Sequence, residues 1–165
     1  MRKHNKASQL QIRVTDDEKS FIERAARGAG LSMSAWIMGK LLPPQELKFG
    51  QLLDALCADD HNKFAYAELN DLLSGLSPAA FLDICGTEPN RRLSHYALNY
   101  LAAMVELAAV QNGVPPPGWT ARIPPLSMPY FGASLMSLRL YLLTHSPAAF
   151  RRRNIFIDAT LGDRL

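Results

Sequence analysis

Residues 9–14 alternate strictly between polar and apolar side chains, in the order Q-L-Q-I-R-V. A period of two places Leu10, Ile12 and Val14 on one face of a β-strand and the polar residues on the other. A single strand this short is not stable without a partner strand. Because helical signals follow immediately, we expect the partner to be the same strand of a second copy of the chain.

Two short helices with clear boundaries follow the predicted strand. Thr15 and Glu18 form a capping-box pattern, and Gly30 is a suitable left-handed residue for the end of the first helix. Ser32 is expected to cap the second helix, which the Pro-Pro pair at 43–44 ends. The strand and helices together carry an apolar set that we expect to form the core of a dimer: Leu10, Ile12, Val14, Phe21, Ile22, Trp36 and Ile37.

Residues 9–42 resemble the ribbon-helix-helix superfamily of bacterial repressors and antitoxins, the Arc/MetJ type, in the segments Q-L-Q-I-R-V, T-D-D-E-K and G-L-S-M-S-A-W-I. The resemblance implies a homodimer in which two antiparallel strands enter the major groove of double-stranded DNA. Carried over to this chain, the base-contacting residues are Gln9, Gln11 and Arg13. Their side chains suit this role, because Gln can bridge adenine N6 and N7 and Arg can bind guanine O6 and N7.

The family also docks the amino end of its second helix on the DNA backbone. In this chain that end consists of Ser32, Met33 and Ser34. Free amides, small hydroxyls and the positive end of the helix dipole would then face a phosphate. Residues 1–8 show no periodicity and are expected to form a flexible basic arm, in which Lys3 and Lys6 contact flanking phosphates.

Charge is distributed unevenly along the chain. Residues 1–44 carry eight Lys and Arg against four Asp and Glu, whereas residues 45–106 carry four against nine. Residues 107–165 are basic again, with six against two. The basic amino-terminal segment suits a polyanion such as DNA, and the acidic middle does not.

Residues 45–165 carry enough apolar side chains for a second domain, which we expect to be an all-α helical bundle around a long central helix at 91–112. The proline-rich stretch at 114–129 predicts an irregular segment packed along the bundle. The fold class is therefore mainly α, with a ribbon-helix-helix module for DNA binding and dimerisation at 9–44 and a helical partner-binding domain at 45–165. The aromatic residues of this second domain are interpreted as packing residues rather than a base-stacking platform: Tyr96, Tyr100, Trp119, Tyr130, Phe131 and Tyr141.

Arg151, Arg152 and Arg153 form the densest charge cluster outside the amino-terminal module. These side chains are candidates for binding an acidic protein partner or a phosphate. A helix carboxyl end also favours cations through its dipole, so a purely structural role is the alternative.

The sequence indicates neither catalysis nor a metal or cofactor site. It has no G-x-S-x-G, H-E-x-x-H or P-loop motif, and Cys57 with His61 lacks a second pair of ligands, so we interpret that segment as a polar turn. Cys57 and Cys85 do not form a CxxC pair and are expected to be reduced, half-buried thiols. No signal peptide and no membrane-spanning run is apparent, so we expect a cytoplasmic protein that is not an enzyme.

These observations predict a sequence-specific DNA-binding transcriptional regulator. We expect an antitoxin-like autorepressor that forms a homodimer and whose helical domain binds a partner protein such as a toxin. One alternative is a plasmid mobilisation accessory protein, which would bind a transfer origin and contact a relaxase. Another is a ligand-sensing or enzymatic helical domain that uses the ribbon only to dimerise.

Overall fold

The computed structural model describes residues 11–41, 44–133 and 135–158. The chain divides into two compact units, Met1–Pro44 and Gln45–Leu165. The described residues of both units lie mainly in α-helices, which confirms the predicted mainly α class. In the first unit, helix α1 spans Asp16–Gly28 and helix α2 spans Met33–Leu41.

The boundaries of α1 follow from local chemistry. The Thr15 hydroxyl accepts the Glu18 N–H at 3.3 Å, and the Glu18 carboxylate accepts the Thr15 N–H at 2.8 Å. The Thr15 hydroxyl also donates to the Glu18 carboxylate, at 2.9 Å. The two bonds that Thr15 donates, from its N–H and its hydroxyl, lower the pKa of Glu18 because they stabilise the carboxylate form. The predicted capping box is therefore confirmed.

The turn between α1 and α2 is a Schellman motif. Gly30 has a φ of +67°, a left-handed conformation that side chains with a Cβ rarely adopt. Its N–H donates to the Arg27 carbonyl at 3.1 Å, and the Leu31 N–H donates to the Ala26 carbonyl at 3.0 Å. Gly30 thus ends the first helix as predicted.

The helices of the second unit begin with α3 at Pro44–Ala58. They continue with α4 at Lys63–Ser74, α5 at Pro78–Cys85, α6 at His95–Gln111, α7 at Met136–His145 and α8 at Ala148–Arg151. Side-chain caps fix several starts. The Ser77 hydroxyl, for example, accepts the Ala80 N–H, and Pro78 occupies the first position of α5.

Helix α6 lies at the centre of the second unit, as the sequence predicts. Its side chains Leu101 and Val105 are fully buried. They pack in one core with Leu56 of α3, Leu69 of α4 and Phe81 of α5. Burial of apolar surface on nearly every side of α6 explains the wide apolar arc of its sequence.

An irregular segment follows α6 and packs on this core. It contains a single 3₁₀ turn at Thr120–Arg122. Trp119, just before the turn, is buried, and its indole N–H donates to the Cys85 carbonyl at 2.8 Å. The predicted packing of the proline-rich stretch along the bundle is therefore confirmed.

A small parallel sheet corrects the expectation that residues 45–165 are entirely α-helical. Strand β1 at Tyr130–Phe131 pairs with strand β2 at Ile155–Phe156. The two strands are separated in the chain by α7 and α8. Each strand has only two residues, which is too short to leave an alternation pattern in the sequence.

In the parts of the chain that the structure describes, no helix has the length and hydropathy needed to cross a membrane.

Candidate functional site

The predicted base-contacting residues Gln11 and Arg13 lie in an exposed, non-helical segment that leads into α1. Residues 11–15 form no strand in the single chain. A strand that pairs across a dimer has its hydrogen-bonding partners in the second chain, so the ribbon remains a prediction. The other predicted contacts from the amino-terminal end lie outside the described residues: Lys3, Lys6 and Gln9.

The amino end of α2 is open to solvent. The predicted phosphate contacts Ser32, Met33 and Ser34 are all exposed. The Ser32 hydroxyl accepts the Ala35 N–H at 3.2 Å, which confirms the predicted cap. The N–H groups of Met33 and Ser34, which precede Ala35, have no acceptor within the helix, because the first N–H groups of any α-helix lack one.

The apolar residues predicted to form a dimer core are largely uncovered in the single chain. The side chains of Ile12, Val14 and Phe21 are 56%, 44% and 62% exposed. The rest of the described set is half-buried: Ile22, Trp36 and Ile37. Leu10 lies outside the described residues. Among residues 11–41 only Ala26 is buried, so this part of the chain has no apolar core of its own.

The three arginines of the carboxy-terminal cluster have different environments. Arg151 is exposed, and Arg152 is 70% exposed while its Nη2 lies 3.2 Å from Glu106 Oε2. The Arg153 side chain is only 6% exposed, and both of its Nη atoms donate to groups of the fold, whereas its Nε is buried and has no hydrogen-bond partner among the described residues. This burial corrects the expectation that Arg153 binds a partner, because its guanidinium cannot reach one.

Arg153 is the centre of a buried polar network. Its Nη2 donates to Glu106 Oε1 at 2.6 Å and to the Thr120 carbonyl at 2.7 Å. Its Nη1 donates to Asn99 Oδ1 at 3.3 Å. The network joins α6, the 3₁₀ turn and the segment before β2. Sequence analysis missed it, although the one available signal was Glu106, a single charged residue within the apolar run 101–110.

A cavity of about 260 Å³ lies within the second unit. Tyr66 from α4, Tyr96 and Tyr100 from α6, and Phe150 from α8 supply aromatic walls. The other lining residues include apolar Met104 and Leu107 and the polar or charged His61, Lys63, Asn70 and Asp158. These residues are far apart in the sequence, and no motif predicted that they would share a cavity.

The aromatic rings around the cavity contact one another at varied angles. The centroids of Tyr66 and Tyr100 lie 4.2 Å apart at 39°, and those of Tyr100 and Phe150 lie 5.2 Å apart at 77°. His61 packs on Tyr96 with centroids 4.7 Å apart. The sequence-based interpretation of Tyr96 and Tyr100 as packing residues agrees with these contacts but did not include the open space beside them.

The tyrosine hydroxyls at the cavity are held in the neutral form. Burial raises the pKa of Tyr66, Tyr96 and Tyr100, and neighbouring phenols add to the effect. For Tyr100 the pKa rises to about 12. The Tyr66 hydroxyl donates to the Asp60 carbonyl at 2.9 Å. The cavity therefore presents neutral hydroxyls rather than phenolates.

Residues 59–62 form a turn between α3 and α4, as their sequence predicts, whereas Cys57 lies in the last turn of α3. Asp59 Oδ1 accepts the His61 N–H at 3.1 Å, and Asn62 caps α4. No group of three or more potential metal ligands occurs among the residues that the structure describes. Cys57 is exposed and Cys85 is buried, whereas both were expected to be half-buried. Burial raises the pKa of the Cys85 thiol to about 12.

Comparison of the chain with protein-family models, with curated proteins and with solved structures reveals no significant similarity.

Proposed function

We propose that this chain is a sequence-specific DNA-binding regulator that forms a homodimer through its amino-terminal unit. The observation that carries the proposal is the uncovered apolar set of Ile12, Val14 and Phe21, which leaves residues 11–41 without a core. A second copy would cover these side chains, because a short strand and two helices cannot bury enough apolar surface alone. Obligate dimers of this kind fold and associate together.

DNA binding follows from the polar side of the same segment. Gln11 and Arg13 alternate with Ile12 and Val14, so pairing of the apolar face would leave both polar side chains on the outer face of the ribbon. Two antiparallel strands would present these residues twice, once for each half of a two-fold symmetric site. A two-stranded ribbon has the dimensions to enter the major groove.

Phosphate contacts would fix the position of the ribbon on the duplex. The exposed amino end of α2 at Ser32, Met33 and Ser34 offers backbone N–H groups and hydroxyls. The helix dipole adds partial positive charge there. Contacts of this type set the register on DNA but do not read its sequence.

The second unit supports a role in binding a protein partner, as in an antitoxin-like autorepressor. Helix α7 is apolar on several sides, and Met136 and Leu140 are each 75% exposed. A helix that is hydrophobic around most of its circumference is normally covered by another surface. Arg151 and Arg152 are also exposed and add positive charge to this unit. We propose an apolar protein surface with acidic residues, such as that of a toxin, as the partner.

The DNA-binding proposal is tested by titrating the protein's own promoter with the full-length chain and with Gln11→Ala and Arg13→Ala. Each substitution is expected to weaken binding by roughly 1 to 3 kcal/mol per chain, because each removes a contact to a base edge. The matched control is Arg122→Ala, which removes an equal charge from an exposed arginine of the second unit. If Gln11→Ala and Arg13→Ala both remain dimers and bind the promoter with the affinity of the wild-type chain, the proposal is wrong.

A further inference from the structure

We propose that the cavity of the second unit is a binding site for a small, uncharged, planar aromatic molecule of one or two rings. The proposal does not rest on DNA binding, since all the described residues that line the cavity belong to the second unit, Gln45–Leu165.

The size of the cavity sets the size of the ligand. The cavity has a volume of about 260 Å³ and opens to solvent, because its lining includes exposed side chains such as His61 and Lys63. Sites for drug-sized molecules range from about 300 to 1,000 Å³. This cavity lies just below that range and therefore suits a molecule of one or two rings.

The walls favour a flat ring over a flexible or rounded molecule. Tyr66, Tyr96, Tyr100 and Phe150 face the cavity from three helices, and their planes are tilted by 39° to 90° against one another. Rings at different angles offer a planar ligand both face-to-face and edge-to-face contacts, the arrangements that aromatic pairs prefer.

Apolar side chains complete the lining. Met104 and Leu107 continue the wall along α6, and Pro147 lies beside Phe150. Methionine adapts its shape to an aromatic partner and makes favourable sulfur contacts with ring edges. This part of the cavity therefore suits the hydrocarbon body of the ligand.

The polar lining does not select a charged ligand. Lys63 and Asp158 contribute opposite charges to the same cavity. Asn70 offers both a hydrogen-bond donor and an acceptor, whereas the Tyr66 hydroxyl already donates to the Asp60 carbonyl and offers only its oxygen as an acceptor. These groups suit a single hydroxyl or ring N–H on the ligand.

Binding is measured by isothermal titration of the full-length chain with two matched probes, 2-naphthol and its saturated analogue decahydro-2-naphthol. Both carry one hydroxyl on a two-ring skeleton, but only the first is planar and aromatic. We expect saturable binding of 2-naphthol at one site per chain. The saturated alcohol should bind at least about tenfold more weakly than 2-naphthol. Absence of 2-naphthol binding, or equal affinity for both alcohols, would overturn the proposal.

Two variants locate the site. Ala67→Phe places a ring into the cavity from α4 and is expected to abolish binding, whereas Ala79→Phe makes the same change at an exposed position of α5 and should leave it unchanged. Tyr96→Leu removes an aromatic wall, and Tyr141→Leu removes an exposed tyrosine of α7 as its control. Circular dichroism of each variant checks folding. Full binding by a folded Ala67→Phe protein would place the ligand elsewhere and refute the inference.

Discussion

Replacement of Arg153 by methionine should strongly destabilise the second unit. Methionine keeps most of the length of the side chain but removes the charge and the donors. Glu106, whose side chain is 10% exposed, then loses the ion pair at 2.6 Å. The Thr120 carbonyl loses its donor at 2.7 Å in the same change.

The expected magnitude follows from the burial of both partners. Removing one member of a buried ion pair costs about 3 to 5 kcal/mol, because the other charge is left in a site that water does not reach. Arg152 Nη2 still lies 3.2 Å from Glu106 Oε2 and partly offsets the negative charge of the Glu106 carboxylate. We therefore expect a loss of about 3 kcal/mol, at the lower end of that range. Such a loss is a large share of the 5 to 15 kcal/mol typical of a whole domain, on the order of a third.

The free energy of unfolding is measured by urea denaturation followed by far-ultraviolet circular dichroism. Arg152→Met is the matched control and should cost at most about 1 kcal/mol, because that side chain is 70% exposed. A double variant, Glu106→Leu with Arg153→Met, should be more stable than Arg153→Met alone, since it leaves no buried charge without a partner and the Arg152 side chain is 70% exposed. A loss below about 1 kcal/mol for Arg153→Met would refute the buried network, because surface pairs contribute that little.

Three further predictions concern single groups. The pKa values of Tyr66, Tyr96 and Tyr100 are higher in the folded protein than the value of about 10 in the unfolded chain. The stability that these protonated side chains contribute is therefore fully present below about pH 10 and is lost as the pH rises through the folded-state pKa values. Spectrophotometric titration should therefore show delayed ionisation of three of the five tyrosines, and a single midpoint near 10 would contradict this. A thiol reagent should label Cys57 in the native protein and Cys85 only after unfolding, because Cys85 is buried and its pKa is about 12; rapid labelling of both would show the core to be open. Thr15→Ala should cost about 1 kcal/mol in urea unfolding through loss of the helix cap, and an unchanged unfolding curve would argue against the capping box.

Helix boundaries were predictable where the chemistry is local. Thr15 and Glu18 interact across three positions, and Gly30 ends its helix through its own backbone conformation. The start of α5 at Pro78 follows from its Ser77 cap in the same way. Such signals can be found in a short window of sequence, because the interacting groups are neighbours in the chain.

Contacts between distant segments were not predictable from the sequence. Arg153 and Glu106 are 47 positions apart, and three adjacent arginines gave no indication that the last one is buried. The pairing of Tyr130 with Ile155 and the aromatic cavity also depend on how the helices pack. The interpretation of Tyr96 and Tyr100 as packing residues was correct. The cavity beside them was not predictable, because its size and lining depend on how separate helices pack in the tertiary structure.

Dimerisation through the amino-terminal unit is tested most directly by sedimentation equilibrium of the full-length chain at micromolar concentration. The proposal predicts the mass of a dimer for the wild-type protein. Phe21→Glu should shift the protein to monomer, because it places a charge in the proposed dimer core, whereas Phe64→Glu makes the same change at an exposed phenylalanine of α4 and should leave the dimer intact. A monomeric wild-type protein, or a Phe21→Glu protein that dimerises as well as wild type, would contradict the proposal.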